Sequence, residues 1–285
     1  MCHCISICRY LGASALFTWL VAGSAVGWEL EAGRVTTIDT FSSTAFTTVT
    51  FQEPFPVPPV VVPLATDQGG DPAALRIQNV TNTGFELTVV EPTGNDGPHV
   101  SMTIDYLAAE EGIHTLPTGE TVIVGRHTTD SVQASNVLGL VEAFDTVSFG
   151  ASLAQPAALI AAIQTMNSET GTPPGGPSIP WLTIASRNAT QTDVQLALER
   201  SEVAPGTVSP ETIGYIAFPS ASAGDFIALG GSTISWSALV SNDVFVGFDD
   251  PCNTQVFSPT PFPDPRVIAT KATRDGADGG WLRRC

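Results

Sequence analysis

One pattern occurs twice in this chain, 97 to 109 residues apart, and begins a third time near the C-terminus. The first copy runs from Pro59-Val60-Val61-Val62 through Asn79-Val80-Thr81-Asn82-Thr83-Gly84-Phe85-Glu86-Leu87-Thr88-Val89 to Ile104-Asp105-Tyr106-Leu107-Ala108. The second runs from Pro156-Ala157-Ala158-Leu159-Ile160 through Asn188-Ala189-Thr190-Gln191-Thr192-Asp193-Val194-Gln195-Leu196-Ala197-Leu198 to Ile213-Gly214-Tyr215-Ile216-Ala217, and the third offers Pro265-Arg266-Val267-Ile268-Ala269. A unit of this length can enclose a core of its own, so the period predicts tandem domains in place of solenoid turns.

Within each copy the side chains alternate with period two. Phe85, Leu87 and Val89 point one way while Glu86, Thr88 and Val90 point the other, as a half-buried strand requires, and Val194, Leu196 and Leu198 repeat the apolar set. The Asn82-Thr83-Gly84 connection predicts a tight turn with glycine at positive φ. Thr121 to Gly125 reads as the closing strand of the first copy. Ala157 to Ile163 reads as a strand like its valine counterpart, although Pro156 also suits a first helical position. With 26 glycines, 22 prolines and only 14% charged residues, the composition fits short strands and punctuated turns. The fold class predicted is all-β, tandem antiparallel β-sandwich domains with two independent cores. The divisions are residues 28–125 for the first sandwich, 126–232 for the second and 233–285 for an incomplete third repeat. The last supplies one or two strands, from Phe257 to Thr270, too few to bury a sandwich face. It is either a cut-short repeat or an edge that a partner completes.

Residues 1–27 read as a secretory signal peptide, with Arg9 ahead of an apolar stretch from Leu11 to Val21 and small residues after it. That predicts a secreted or cell-surface protein with no membrane span after signal removal. Cys2, Cys4 and Cys8 would leave with the signal, and Cys252 and Cys285 would remain to pair within the chain or between chains. A formal charge of −17 repels phosphate backbones and argues against nucleic acid.

Chemistry-bearing motifs are scarce. There is no nucleophile elbow, phosphate loop, His-Glu-x-x-His or Cys-x-x-Cys beyond the signal, and His99, His114 and His127 have no histidine counterparts in the second copy. No enzymatic activity and no cofactor are expected. Glu110-Glu111 and Asp249-Asp250 are adjacent acids, which strands point to opposite faces. Asp275 and Asp278, spaced by three residues among glycines, form an oxygen-rich turn of the kind calcium accepts, as does the Asp67 to Asp71 loop. Asn79-Val80-Thr81 and Asn188-Ala189-Thr190 are glycan acceptor patterns in a eukaryotic secretory host and otherwise strand-end turns. Trp181 opens a strand as either a core lid or an exposed platform for a sugar. Tyr106 and Tyr215 occupy equivalent positions, with rings expected in the sandwich and hydroxyls reaching a loop carbonyl.

With these residues in view, the first copy resembles the H-type lectin domain. Phe51 to Phe55, Pro58-Pro59-Val60-Val61-Val62 and the Asn79 to Phe85 turn carry the likeness, which also extends to repeat regions of bacterial MSHA-pilus-associated surface proteins. The resemblance implies small six-stranded antiparallel sandwiches, glycans or glycoconjugates as partners, and homo-oligomers. The expectation is a lectin-like adhesion protein in which Tyr106 or Trp181 stacks on a sugar while Asp105, Asp71 and Asn95 hydrogen-bond its hydroxyls; of these the resemblance places Tyr106 and Asp105 on a late strand near the contacts. The second copy departs from the first in having Gly214 for Asp105. The competing expectation is a structural or spacer subunit of a surface assembly.

Overall fold

The computed structural model describes residues 29–92, 98–133, 142–169, 174, 176, 180–200, 207–227, 233–242, 254–257, 264–272 and 282–285. The expected signal segment lies outside them. Strands and turns make up the described residues, with no helix among them. The first unit contains β1 (Leu30–Thr36), β2 (Thr47–Thr50), β3 (Val60–Ala65), β4 (Ala74–Gln78), β5 (Gly84–Val90) and β6 (Thr103–Ala109). They form two antiparallel sheets, ordered β1-β6-β3 and β2-β5-β4. The second half contains β7 (Gly112–Thr115), β8 (Thr121–Thr129), β9 (Val132–Gln133), β10 (Asp145–Ser148), β11 (Ala157–Ile163), β12 (Leu182–Arg187), β13 (Asp193–Arg200) and β14 (Glu211–Pro219). Its sheets run β11-β14-β8-β7 and β10-β13-β12, so the strand order of the first unit recurs with β7 and β9 added at the margins. A hairpin of β15 (Ser222–Ile227) and β16 (Thr233–Ala238) follows.

Alternation places the cores. Phe85, Leu87 and Val89 meet Val61, Ile104 and Tyr106 inside the first sandwich, and Val194, Leu196 and Leu198 meet Ile163, Ile213 and Tyr215 inside the second. Phe51 stands edge-on to Phe55 at 4.9 Å between ring centroids, and Phe85 edge-on to Tyr106 at 5.2 Å, the arrangement that ring quadrupoles favour.

Two expected boundaries move. Thr121 to Gly125 does not close the first copy, because β8 pairs with β14 and continues across the expected division at 125/126. The division at 232/233 falls between β15 and β16, which pair with each other. No strand forms in residues 264–272, and among the described residues the C-terminal segment contributes one isolated bridge, Thr66 to Arg284. The positive φ of the expected turn lies at Asn79 (50°), with Asn188 (52°) matching it in the second copy. Their side-chain amides donate to Glu86 and Gln195 across the hairpin, at 2.9 and 3.0 Å. Gly84 is needed for space instead, since a Cβ there would lie 2.1 Å from the Val49 carbonyl oxygen.

A third apolar layer joins the two cores. Val60 and Val62 face away from the first sandwich and join Leu30, Ala109, Val122, Val124, Ile216 and Phe218 in a third apolar layer, which the hairpin plugs with Phe226 and Trp236. The outer faces of the two inner sheets therefore bury one another. At roughly 1.5–3 kcal/mol per fully buried aliphatic side chain, Leu30, Val60, Val62 and Ile216 alone contribute on the order of 10 kcal/mol, an upper figure comparable with the whole net stability of a domain.

One device appears in both units. The register sets Gly33 opposite Tyr106 and Gly125 opposite Tyr215, each followed by arginine. A Cβ at Gly33 would lie 2.2 Å from the Tyr106 ring, and one at Gly125 would lie 2.5 Å from the Tyr215 hydroxyl. Each tyrosine thus lies across a bare stretch of neighbouring backbone. Replacing either glycine by alanine is expected to cost about 1–3 kcal/mol, read as a lowered denaturant midpoint at unchanged slope.

Burial raises both phenols above the ordinary value, with Glu31 adding to the effect at Tyr106 and Glu111 at Tyr215. An acid whose folded pKa is raised adds stability that is complete below its unfolded value, about 10 for tyrosine, and is lost as the pH climbs toward the folded one. Tyrosinate absorbance from Tyr106 and Tyr215 should therefore appear only together with loss of the strand circular dichroism signal. Gradual ionisation with the fold intact would show that the rings are not enclosed.

Candidate functional site

The residues expected to hold a sugar are mostly enclosed. Tyr106 is 4% exposed, and its hydroxyl donates to Glu31 Oε1 at 2.5 Å rather than to a loop carbonyl. Glu31 Oε2 in turn accepts from the Gln52 backbone N–H at 2.7 Å. The ring is core and not a stacking platform. Trp181, 2% exposed, is a lid over Ala74 and Val90, with its indole N–H donating to the Val90 carbonyl at 3.1 Å. Asp105 has no exposed surface. Its oxygens accept from Arg34 Nε at 2.6 Å and Nη2 at 3.3 Å and from the Val267 backbone N–H at 3.1 Å, and Arg284 Nη2 lies 3.3 Å away. These acceptor sites are used within the chain. Asp71 is exposed on the loop after β3. Asn95, Asp275, Asp278, Asp249, Asp250, Trp281 and Cys252 lie outside the described residues. Among those described, no three carboxylate, histidine or cysteine groups converge as a metal site.

The structure instead concentrates polar chemistry at the seam between the units. Arg76 on β4 and Glu169, in the loop between β11 and β12, form an ion pair in which both side chains are almost completely buried. Arg76 Nη2 donates to Glu169 Oε1 at 2.6 Å, and the same oxygen accepts from the Leu182 backbone N–H at 3.0 Å. Gln164 closes the open edge of β3, with its amide oxygen accepting from Val61 N–H at 3.0 Å and its amide nitrogen donating to Val61 O at 2.7 Å. The substitution of Gly214 for Asp105 now has a cause. A Cβ at Gly214 would lie 2.7 Å from Val60 and 2.8 Å from Gln164, so Val60 of the docked first unit and the side chain of Gln164 fill that space.

A C-terminal strap finishes the seam. Residues 264–285 carry five basic and three acidic side chains, whereas the preceding 263 carry six and 25. Arg34 donates to Asp264 at 2.8 Å and to the Pro265 carbonyl at 2.9 Å, and Arg266 and Arg34 together hold the Asp264 carboxyl below the usual range. Thr270 Oγ1 accepts from Ala161 N–H at 2.8 Å on the free edge of β11 and donates to Ala161 O at 3.3 Å. Ser186 donates to the Lys271 carbonyl at 2.7 Å, while the Lys271 ammonium pairs with buried Glu199. Arg284 N–H donates to Ala65 O at 2.7 Å, and its carbonyl accepts from Asp67 N–H at 2.9 Å. Beneath the strap a cleft of 110 Å³ is bounded by Leu64, Ile77, Ala161, Ile184, Thr270 and Leu282. Ligand pockets usually enclose roughly 300–1,000 Å³.

A second cluster joins Ser131, Asp145 and His127. The serine hydroxyl donates to Asp145 Oδ1 at 2.7 Å, and His127 Nε2 lies 2.7 Å from Oδ2. Partial burial pushes the Asp145 carboxyl up, but hydrogen bonds from Thr129, His127 and Ser131 outweigh it and leave the group below its usual range. The carboxylate stands in the middle. Nucleophile activation needs the imidazole there, so this order orients a turn and does not raise serine reactivity.

Breaking the Arg76–Glu169 pair from one side leaves a charge buried without its partner. Arg76→Ala should cost about 3–5 kcal/mol, and the double replacement Arg76→Met with Glu169→Leu should recover most of that loss in a denaturant titration.

No family model, curated protein or solved structure matches this chain.

Proposed function

We propose that this chain is a non-enzymatic structural subunit, a stiff spacer within a secreted or surface-displayed assembly. The observation that carries the reading is the mutual burial of the two inner sheets, with buried polar links across the same seam. Such a joint fixes one unit against the next, which is the mechanical property a spacer needs. Three of the side chains expected in sugar recognition have roles in this architecture. Tyr106 fills a core, Asp105 anchors the strap and Trp181 covers the outer face of β4 and β5. Asp71 is the described member of that set left on the surface. Glycan recognition by a lectin-like surface would have to rest on residues other than Tyr106, Asp105 and Trp181.

The two readings separate by experiment. Calorimetry of the chain lacking residues 1–27 is expected to show one cooperative transition spanning both units, and a glycan array to show no selective binding. Selective sugar binding that Asp71→Ala abolishes would restore the lectin reading. Two separate transitions would remove the stiff joint. We further propose that Cys252 and Cys285 pair in the oxidising compartment the signal segment implies. The closed loop of about thirty residues would add a few kcal/mol on the chain-entropy model. Non-reducing mass spectrometry should find the mature chain two hydrogens lighter than its reduced form, and free thiols on both cysteines would refute the staple.

A further inference from the structure

The strap differs from every other element of the seam in how it is connected. Gln164 and Glu169 reach the first unit from residues directly following β11. Asp264, by contrast, is separated from Asn242 by 21 residues. At 3.3–3.6 Å per extended residue that connection can span up to about 70 Å. A chain of this length has a compact radius of gyration of only about 19 Å. The connection therefore permits the strap to reach a seat on a neighbouring molecule.

The seat is well defined. It consists of buried Asp105, the free edge of β11 at Ala161, and buried Glu199 with Ser186 beside it. Without an occupant, Asp105 would lose its bond from Val267 and the company of Arg284, Glu199 would lose its ammonium partner, and the Ala161 backbone groups would form an unpaired strand edge. The seat is acidic and the strap is basic, on a body whose charge is otherwise strongly negative. With five basic against three acidic side chains, residues 264–285 are a stretch that the acidic body of another copy attracts.

We propose that this seat is an interface between copies of the chain, and that it takes residues 264–272 and 282–285 of a second copy. The inference rests on the structural-subunit reading and names the partner of its seam. Every bond seen within one chain can form unchanged between two, because the exchanged element is identical. The balance is then set by concentration, the tethered strap competing at an effective concentration on the order of mM or lower. A reciprocal exchange closes a dimer, and a one-way exchange passes each strap to the next molecule.

Lys271 is the chain's only lysine, which gives the exchange a specific reporter. Heavy-isotope-labelled and unlabelled full chains are mixed, incubated and treated with a zero-length carbodiimide that joins the Lys271 ammonium to the Glu199 carboxylate. Mass spectrometry of the digest should show hybrid peptides, labelled on one side only, whose share rises with protein concentration. Cross-linked peptides of a single isotope at every concentration would overturn the proposal. As a second measurement, sedimentation should reveal dimers or larger species that Lys271→Glu with Arg284→Glu removes. A wild-type chain that stays monomeric at high concentration, or oligomers indifferent to the double replacement, would also overturn it. Either failure leaves the monomeric spacer standing, whereas selective sugar binding would defeat the spacer reading without altering the cross-links.

Discussion

Strand β3 has a core on each side, and the architecture follows from that. Val61 points into the first sandwich while Val60 and Val62 point out of it into the layer shared with the second unit. A strand buried on both faces needs an uninterrupted apolar run, and the three consecutive valines supply it. Once both faces of β3 are covered, the inner sheet of the second unit must lie against it. Gly214 then has to be bare, and the free edge of β3 has to be satisfied by a side chain, which Gln164 provides.

The two units share a strand order but have different surroundings, and their sequence differences record this. On β4 the outer face carries Arg76, which is neutralised by a glutamate from the following unit. The outer face of β13 carries Glu199, and the strap brings Lys271 to it. Opposite charges in related settings suggest a common scheme in which each unit is covered by what comes after it. For the first unit the cover is Glu169 with Trp181, and for the second it is a short basic segment.

Much of the fold was legible because alternation and turn chemistry are local signals. The apolar sets of β5 and β13, the strand at Ala157 to Ile163 and the matched tyrosines all follow from period two and from spacing. Apolar content alone does not tell a strand that closes the first unit from β8, which pairs with β14. The Gly-Arg pair shared by β1 and β8, at Gly33-Arg34 and Gly125-Arg126, marks the correspondence. The expected sugar contacts are a different case. Tyr106, Asp105 and Trp181 have the residue types of a binding site, but only tertiary packing reveals that a carboxylate, a distant strap and a sheet face already occupy them. Arg76 and Glu169 lie 93 residues apart, and no local pattern joins them.

The paired glycine and tyrosine also bear on how the chain finds its alignment. Sliding β1 by one residue along β6 would put Ala32 or Arg34 beneath the Tyr106 ring, where neither fits, and the same holds for β8 against β14. The missing side chain is therefore a keyway, and the aromatic ring a key that enters at one position. Each sandwich carries its own copy, so an incorrect strand alignment is rejected inside each unit by its own ring.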